Sequence, residues 1–185
     1  MTSRTAIALL LSSALSGCLT FGATPPEEEE EETSDNTFAV EAEKASSNCG
    51  TGQLTLDDTW GFDVEIVSHP RAGTIDWDTG DGAIEGTLEA EEKTFTVTAE
   101  TVVDMRTSDS AAGLPPCSIR RVDELEGKLD HAGAPTSFEG SLSFKFEPTE
   151  GSDCSDLLYG EERLVEQLPC RVSYDLEGSL QKPDE

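Results

Sequence analysis

Apolar and polar residues alternate with a period of two through most of this chain, the pattern of strands that bury one face and wet the other. Phe62, Val64 and Ile66 share one side, opposite Asp63 and Glu65. Phe95, Val97, Ala99, Val103 and Met105 oppose Thr94, Thr96, Thr98, Glu100 and Asp104. Leu142, Phe144 and Phe146 oppose Ser141, Ser143, Lys145 and Glu147, and Val172, Tyr174, Leu176 and Leu180 oppose Ser173, Asp175, Glu177 and Ser179. One-sided strands of this kind belong to antiparallel sheets. Turn signals separate them at Ser68–Gly73, Thr79–Gly82 and His131–Pro135. The pattern predicts about eight strands, near residues 53–58, 60–68, 73–78, 83–90, 93–106, 117–129, 137–147 and 170–181. A ragged apolar stripe of Leu157, Leu158, Leu164, Val165 and Leu168 predicts one short helix within residues 156–168. The expected fold class is all-β: a single antiparallel curled meander, either a small barrel or a sandwich.

A repeat sharpens this picture. Glu-Gly-x-Leu occurs at Glu85–Leu88, Glu126–Leu129, Glu139–Leu142 and Glu177–Leu180, each time after an apolar residue. Parity turns the glycine and leucine inward and the glutamate outward. Inward glycines leave gaps that let a sheet bend strongly. If the gaps leave an unfilled apolar pocket, they favour carriage of a small ligand; if phenylalanine and leucine side chains fill them, they favour binding of a partner. The stretch from Ile84 to Leu114-Pro115 matches that from Phe138 to Leu168-Pro169, and each leads to a cysteine. Residues 83–129 and 137–180 therefore read as two related long hairpins.

The N-terminus carries a different signal. Ala6–Leu11 is wholly apolar, Arg4 precedes it, and the run stops at Leu15-Ser16-Gly17-Cys18. It is too short to span a bilayer, which needs about 20 residues, and reads as a signal-peptide core. The small-small-Cys ending resembles the lipobox of bacterial lipoproteins. That resemblance implies cleavage before Cys18, lipid on the Cys18 thiol, and anchoring in the cell envelope by more than one acyl chain. Leu19, where Asp would favour inner-membrane retention, implies the outer membrane. The implied organisation is a signal peptide over 1–17, a lipidated tether over 18–36, and a globular domain over 37–185. The tether has Pro25, Pro26 and the run Glu27–Glu32, a composition that stays extended and builds no core. Nineteen such residues reach roughly 60 Å. Residues 37–185 carry no family resemblance.

The formal net charge of −27 disfavours nucleic acid and anionic headgroups as partners. The acids fall mostly on outward strand positions, where a dense carboxylate surface keeps the chain hydrated in salt. Beyond Cys18, four cysteines remain: Cys49, Cys117, Cys154 and Cys170. In an exported chain an even number reads as disulfides. The expected pairs are Cys154–Cys170, closing one long loop, and Cys49–Cys117.

Candidate chemistry is sparse. Asp76, Asp78 and Asp81, with Gly80 and Gly82, resemble a calcium loop in composition, but Gly80 and Asp81 are in the wrong order for one, and no bidentate Glu follows. A hairpin turn is the expected role. His69 and His131 sit in turns, and Trp77 shares parity with Ile75 and reads as core. No nucleophile elbow, zinc helix or phosphate loop is present in the sequence, and no cofactor is implied. The expectation is a membrane-anchored envelope protein that binds or supports without catalysis, its partner an envelope protein or a small ligand. The alternatives are a cation-binding surface module and a hydrolase with an unrecognised carboxylate site.

Overall fold

The computed structural model describes residues 36–50, 57–106, 113–159 and 163–181. Its strands are β1 (Asn36–Ser47), β2 (Thr59–His69), β3 (Thr74–Asp78), β4 (Ile84–Glu89), β5 (Thr94–Asp104), β6 (Ser118–Leu129), β7 (Ser137–Pro148) and β8 (Cys170–Leu180). Each pairs antiparallel with the next, and β1 pairs with β8, so the meander closes into an eight-stranded barrel. The all-β expectation holds, and closure decides for the barrel over the sandwich.

One strand lies away from its expected place. The first strand is β1, from Asn36, rather than a segment near 53–58, of which residues 53–56 lie outside the described residues. Phe38, Val40 and Ala42 give β1 a buried inner row, while Glu41 and Glu43 face outward. The tether over 18–36 falls outside the described residues except for Asn36, which already pairs with Ile66. The other strands lie where the alternation puts them, to within a residue or two at each end.

Of the helix expected within 156–168, the described residues show only a four-residue 3-10 turn, Ser155–Leu158; residues 160–162 lie outside the described residues. Tertiary ties account for this. Cys154 is bonded to Cys117 just before the turn, Asp156 is held by Arg106, and the Leu164 N–H donates to the Leu157 carbonyl at 2.8 Å. These anchors shape an irregular loop. The two expected hairpins also differ from each other. Residues 83–129 form three strands, β4 to β6, whereas 137–180 form two, β7 and β8, joined by that loop.

What does recur is the glycine level inside the barrel. Phe95 lies opposite Gly127, Phe138 opposite Gly178, and Ile75 opposite Gly86, each across a strand pair. A Cβ on Gly178 would run into the Phe138 ring, and one on Gly86 would meet the Thr96 carbonyl oxygen at 2.5 Å. The space beside Gly127 and Gly178 is thus filled by the Phe95 and Phe138 rings, while Gly86 and Gly140 let neighbouring backbone and aliphatic groups approach closely. Phe38, Phe95, Phe138 and Trp77 form one connected aromatic layer there, with centroids 5.7–6.3 Å apart.

The two ends differ. At one end the connections are short turns, over 70–73, 90–93 and 130–136. Asp130 organises the last of these. Its Oδ1 accepts from the backbone N–H of His131 and Thr136, both at 2.9 Å, and of Ser137 at 3.2 Å, while Oδ2 accepts from Thr136 Oγ1 at 2.6 Å. Burial pushes this carboxyl up, but the hydrogen bonds from Thr136, Ser137 and His131 outweigh it and hold the group well below the ordinary carboxylate range. Asp130→Ala is expected to cost about 2 kcal/mol near neutral pH. Because the folded-state pKa is depressed, that contribution is complete above the unfolded pKa and fades as pH falls through the folded one. The gap between wild type and variant should therefore shrink below about pH 4. Chemical denaturation at pH 7 and pH 3 checks this, and equal gaps at the two pH values would contradict it.

At the other end β1, β3, β5 and β7 finish and β2, β4, β6 and β8 begin, with 11, 5, 13 and 21 residues between them. Both disulfides are here, and their pairing corrects the expected one: Cys49 joins Cys170, and Cys117 joins Cys154. Cys154–Cys170 and Cys49–Cys117 are not formed. The topology explains why. Cys49 follows β1 and Cys170 opens β8, the two strands of the closing seam, so closure brings them side by side. Cys117 opens β6, next to β7, whose outgoing loop carries Cys154.

Candidate functional site

Inward positions near the loop end do not fill the barrel. Two cavities open there, of about 250 Å³ and about 410 Å³, which share Trp60, Arg121 and Phe144. The inner lobe is walled by Phe62, Trp77, Val97, Leu125 and Leu142, and the outer by Val103, Met105, Ile119, Phe146 and Leu164. Its floor is the aromatic layer at the glycine level, since Trp77 belongs to both. Trp77 is thus core, as its parity predicts, and chamber wall at once. The glycine gaps are closed, the outcome that favours a partner-binding barrel, and the open chamber does not occupy them. It lies above them, where β3 has already ended at Asp78 and β4 begins only at Ile84, while β5 to β8 extend further.

The exposed large apolar residues gather at this same end: Ile84, Val102, Val103, Leu114 and Tyr159. Many other outward strand positions are polar, as with Thr96, Thr98 and Glu100 on β5 or Asp175, Glu177 and Ser179 on β8.

The mouth is braced. Arg106 lies at the end of β5, and its side chain is only 8% exposed. Its Nη1 and Nη2 donate to the two Asp156 oxygens at 2.9 and 2.6 Å, and its Nε donates to the Pro115 carbonyl at 3.1 Å. The Arg106 hydrogen bond is the main cause holding the Asp156 carboxyl below its usual range, and the same bond raises the guanidinium. With Cys117–Cys154 beside it, this clamp ties the β5–β6 loop to the β7–β8 loop. A pocket so tied loses little entropy on filling.

One ion pair breaks the apolar lining. Arg121 and Asp123 both face inward on β6, between Ile119 and Leu125. Arg121 Nε and Nη2 donate to the two Asp123 oxygens at 2.7 and 2.6 Å, and the guanidinium carbon sits 4.7 Å from the centre of the Phe144 ring. The signal was present in the sequence, because counting back by twos from Leu129 passes Gly127, Leu125, Asp123, Arg121 and Ile119. The adjacent Arg120 and Arg121 hid it by making the segment look polar on both faces.

Behind Trp60 lies Tyr174, fully buried, with ring centroids 6.0 Å from Trp60 and 6.2 Å from Phe144. Burial raises its hydroxyl pKa. Its OH and the Trp60 Nε1 are buried without a hydrogen-bond partner among the described residues.

The acidic turn folds as a hairpin. Asp78 Oδ1 accepts from the Gly80 N–H at 2.7 Å and the Gly82 N–H at 3.2 Å, so it caps its own turn. Asp76 contacts His69 Nε2 at 3.3 Å across the β2–β3 pair. Asp81 is exposed and joins neither contact. Among the described residues no group of three or more His, Cys, Asp or Glu side chains could hold a metal ion. A further cavity of about 520 Å³ on the outer wall is lined by Glu41, Glu43, Asp175 and Glu177. There Glu41 faces Glu177 and Glu43 faces Asp175 across the closing seam, an arrangement that repels rather than recognises. Among the described residues His131 pairs with its neighbour Asp130, at 3.1 Å. Cys18 lies outside the described residues.

Fold and site together define an up-and-down antiparallel β-barrel with one filled end and one end opening into an apolar chamber. No protein-family model matches the chain, and no curated protein or solved structure matches it.

Proposed function

We propose that this protein is a lipid-anchored bacterial envelope protein whose barrel holds a small apolar ligand without transforming it. The observation that carries the reading is the end chamber, walled by Trp60, Phe62, Trp77, Leu142 and Phe144 and bordered by exposed apolar residues. Its lobes approach or fall within the roughly 300–1,000 Å³ of small-molecule sites, and such sites combine apolar walls with a few polar groups. The lipobox at Leu15–Cys18 supports the anchor, and Leu19 supports the outer membrane. The described chain enters the barrel at Asn36, at the end away from the chamber.

The test is a plug. Ala99 lines the inner lobe, and Ala99→Phe would place a ring in that space. The apolar dye N-phenyl-1-naphthylamine should brighten on mixing with the wild-type chain and stay dim with the variant. The variant should melt within about 2 °C of wild type, since the ring enters space and not core. Equal brightening by both proteins would contradict the reading.

A further inference from the structure

We infer that the chamber takes a small monocarboxylate with an apolar body, its carboxylate held by the unused edge of Arg121. The inference rests on the small-ligand reading above and narrows it to one chemical class.

Arg121 stands where the two lobes meet, and among the residues that line them it is the only cation. A guanidinium has five N–H donors in a fixed plane. Asp123 takes the Nε edge, using one hydrogen from Nε and one from Nη2. The other edge, between Nη1 and Nη2, meets no acceptor among the described residues. It presents two parallel N–H bonds, the geometry that accepts a carboxylate in bidentate fashion. Asp123 on one side and the Phe144 ring beneath hold the plane in place before anything binds. The Arg121 side chain is 45% exposed, so it is reachable from the chamber.

The same geometry argues against other heads. A cation would seek the Phe144 ring or Asp123, and Arg121 already occupies both. A dianion such as a phosphate monoester would meet Asp123 nearby and a chain of net charge −27. A single negative charge on an apolar body meets one guanidinium edge and, below it, walls of Trp60, Phe62, Trp77 and Leu142.

The test uses two ligands with one tail. The sequence has two tryptophans, and both line the inner lobe, so intrinsic fluorescence reports its occupation. The purified full chain is titrated with decanoate and with decanol, below micelle-forming concentrations. Arg121→Met should weaken decanoate by about tenfold or more and leave decanol within about twofold. Asp123→Asn removes the negative charge beside Arg121 while keeping one acceptor oxygen, and should tighten decanoate several-fold, which keeps the test decisive if Arg121→Met fails to fold. If both ligands bind wild type and both variants alike, the carboxylate assignment is overturned while the chamber reading stands. If neither ligand changes the tryptophan emission of wild type, the chamber reading falls as well.

Discussion

Replacing Cys49 and Cys170 together by alanine is expected to lower stability by about 5 kcal/mol, the largest effect of any change considered for this chain. The bridge spans 121 residues, so its loss frees nearly the whole barrel sequence in the unfolded state. The Cys117–Cys154 bridge spans 37 residues and should be worth about 4 kcal/mol by the same chain-entropy reasoning. Topology adds to the difference. Cys49–Cys170 closes the seam between β1 and β8, where the ladder already carries an irregularity between Lys44 and Ser46. Every other pair of neighbouring strands is linked through the chain by a connection of at most about twenty residues, whereas the seam joins the first strand to the last. For a domain of this size the loss corresponds to a fall in melting temperature of roughly 10–20 °C. Thermal melts followed by circular dichroism check it, and a larger fall for the Cys117/Cys154 pair would contradict it. Mapping of linked peptides without reduction should join Cys49 to Cys170.

The second large effect lies at the glycine level. Gly178→Ala is expected to destabilise by about 3 kcal/mol, because its Cβ would enter the Phe138 ring and the barrel has no slack there. Phe138→Ala should cost about 4 kcal/mol by leaving a cavity between Phe38, Trp77 and Phe95. The two changes are coupled. In the double variant the new methyl occupies part of the space the ring has left, so the total should fall short of the sum by about 1–2 kcal/mol. Gly133→Ala in the β6–β7 turn serves as control. A Cβ there meets only Pro70, at 3.8 Å, and stability should move by less than about 0.5 kcal/mol. Strict additivity at 138 and 178 would show that the ring does not depend on the glycine.

Much of this fold was legible because a period of two survives wherever one face is dry and the other wet. On β7, Phe138, Leu142, Phe144 and Phe146 turn inward, and on β8 Val172, Tyr174 and Leu176 do the same. β1 escaped because its inner row is only Phe38, Val40 and Ala42, set among glutamates that continue the composition of the acidic tether. That omission mattered, since β1 is the strand that closes the barrel and decides between barrel and sandwich. It also hid the disulfide pairing. Without the β1–β8 seam nothing brings Cys49 to Cys170, and the short path from Cys154 to Cys170 looks best. The glycines were placed correctly on the inner face, but whether they stay empty depends on cross-strand register, which pairs Phe138 with Gly178. Register is a long-range property that local alternation does not carry.

The chamber was the least legible part. It arises from unequal strand lengths, short β3 and β4 beside long β5 and β6, and from an ion pair on the inner face of β6. Neither is a motif. Arg121 and Asp123 stand two apart, as thousands of solvated surface pairs do, and only the register of Leu125 and Ile119 turns them inward.

The most direct measurement of the chamber's role is a nitrogen–proton correlation spectrum of the two tryptophan indole groups, recorded as decanol is added. The Nε1–H signals of Trp60 and Trp77 are the only indole signals the chain can give, and both side chains line the inner lobe. Occupation of the chamber predicts that both signals move together and saturate with a single affinity. Trp60 also lines the outer cavity, so a Trp77 signal that stays fixed while the Trp60 indole and the amides of Glu41, Glu43 and Glu177 shift would place the ligand elsewhere and contradict the chamber as the binding site.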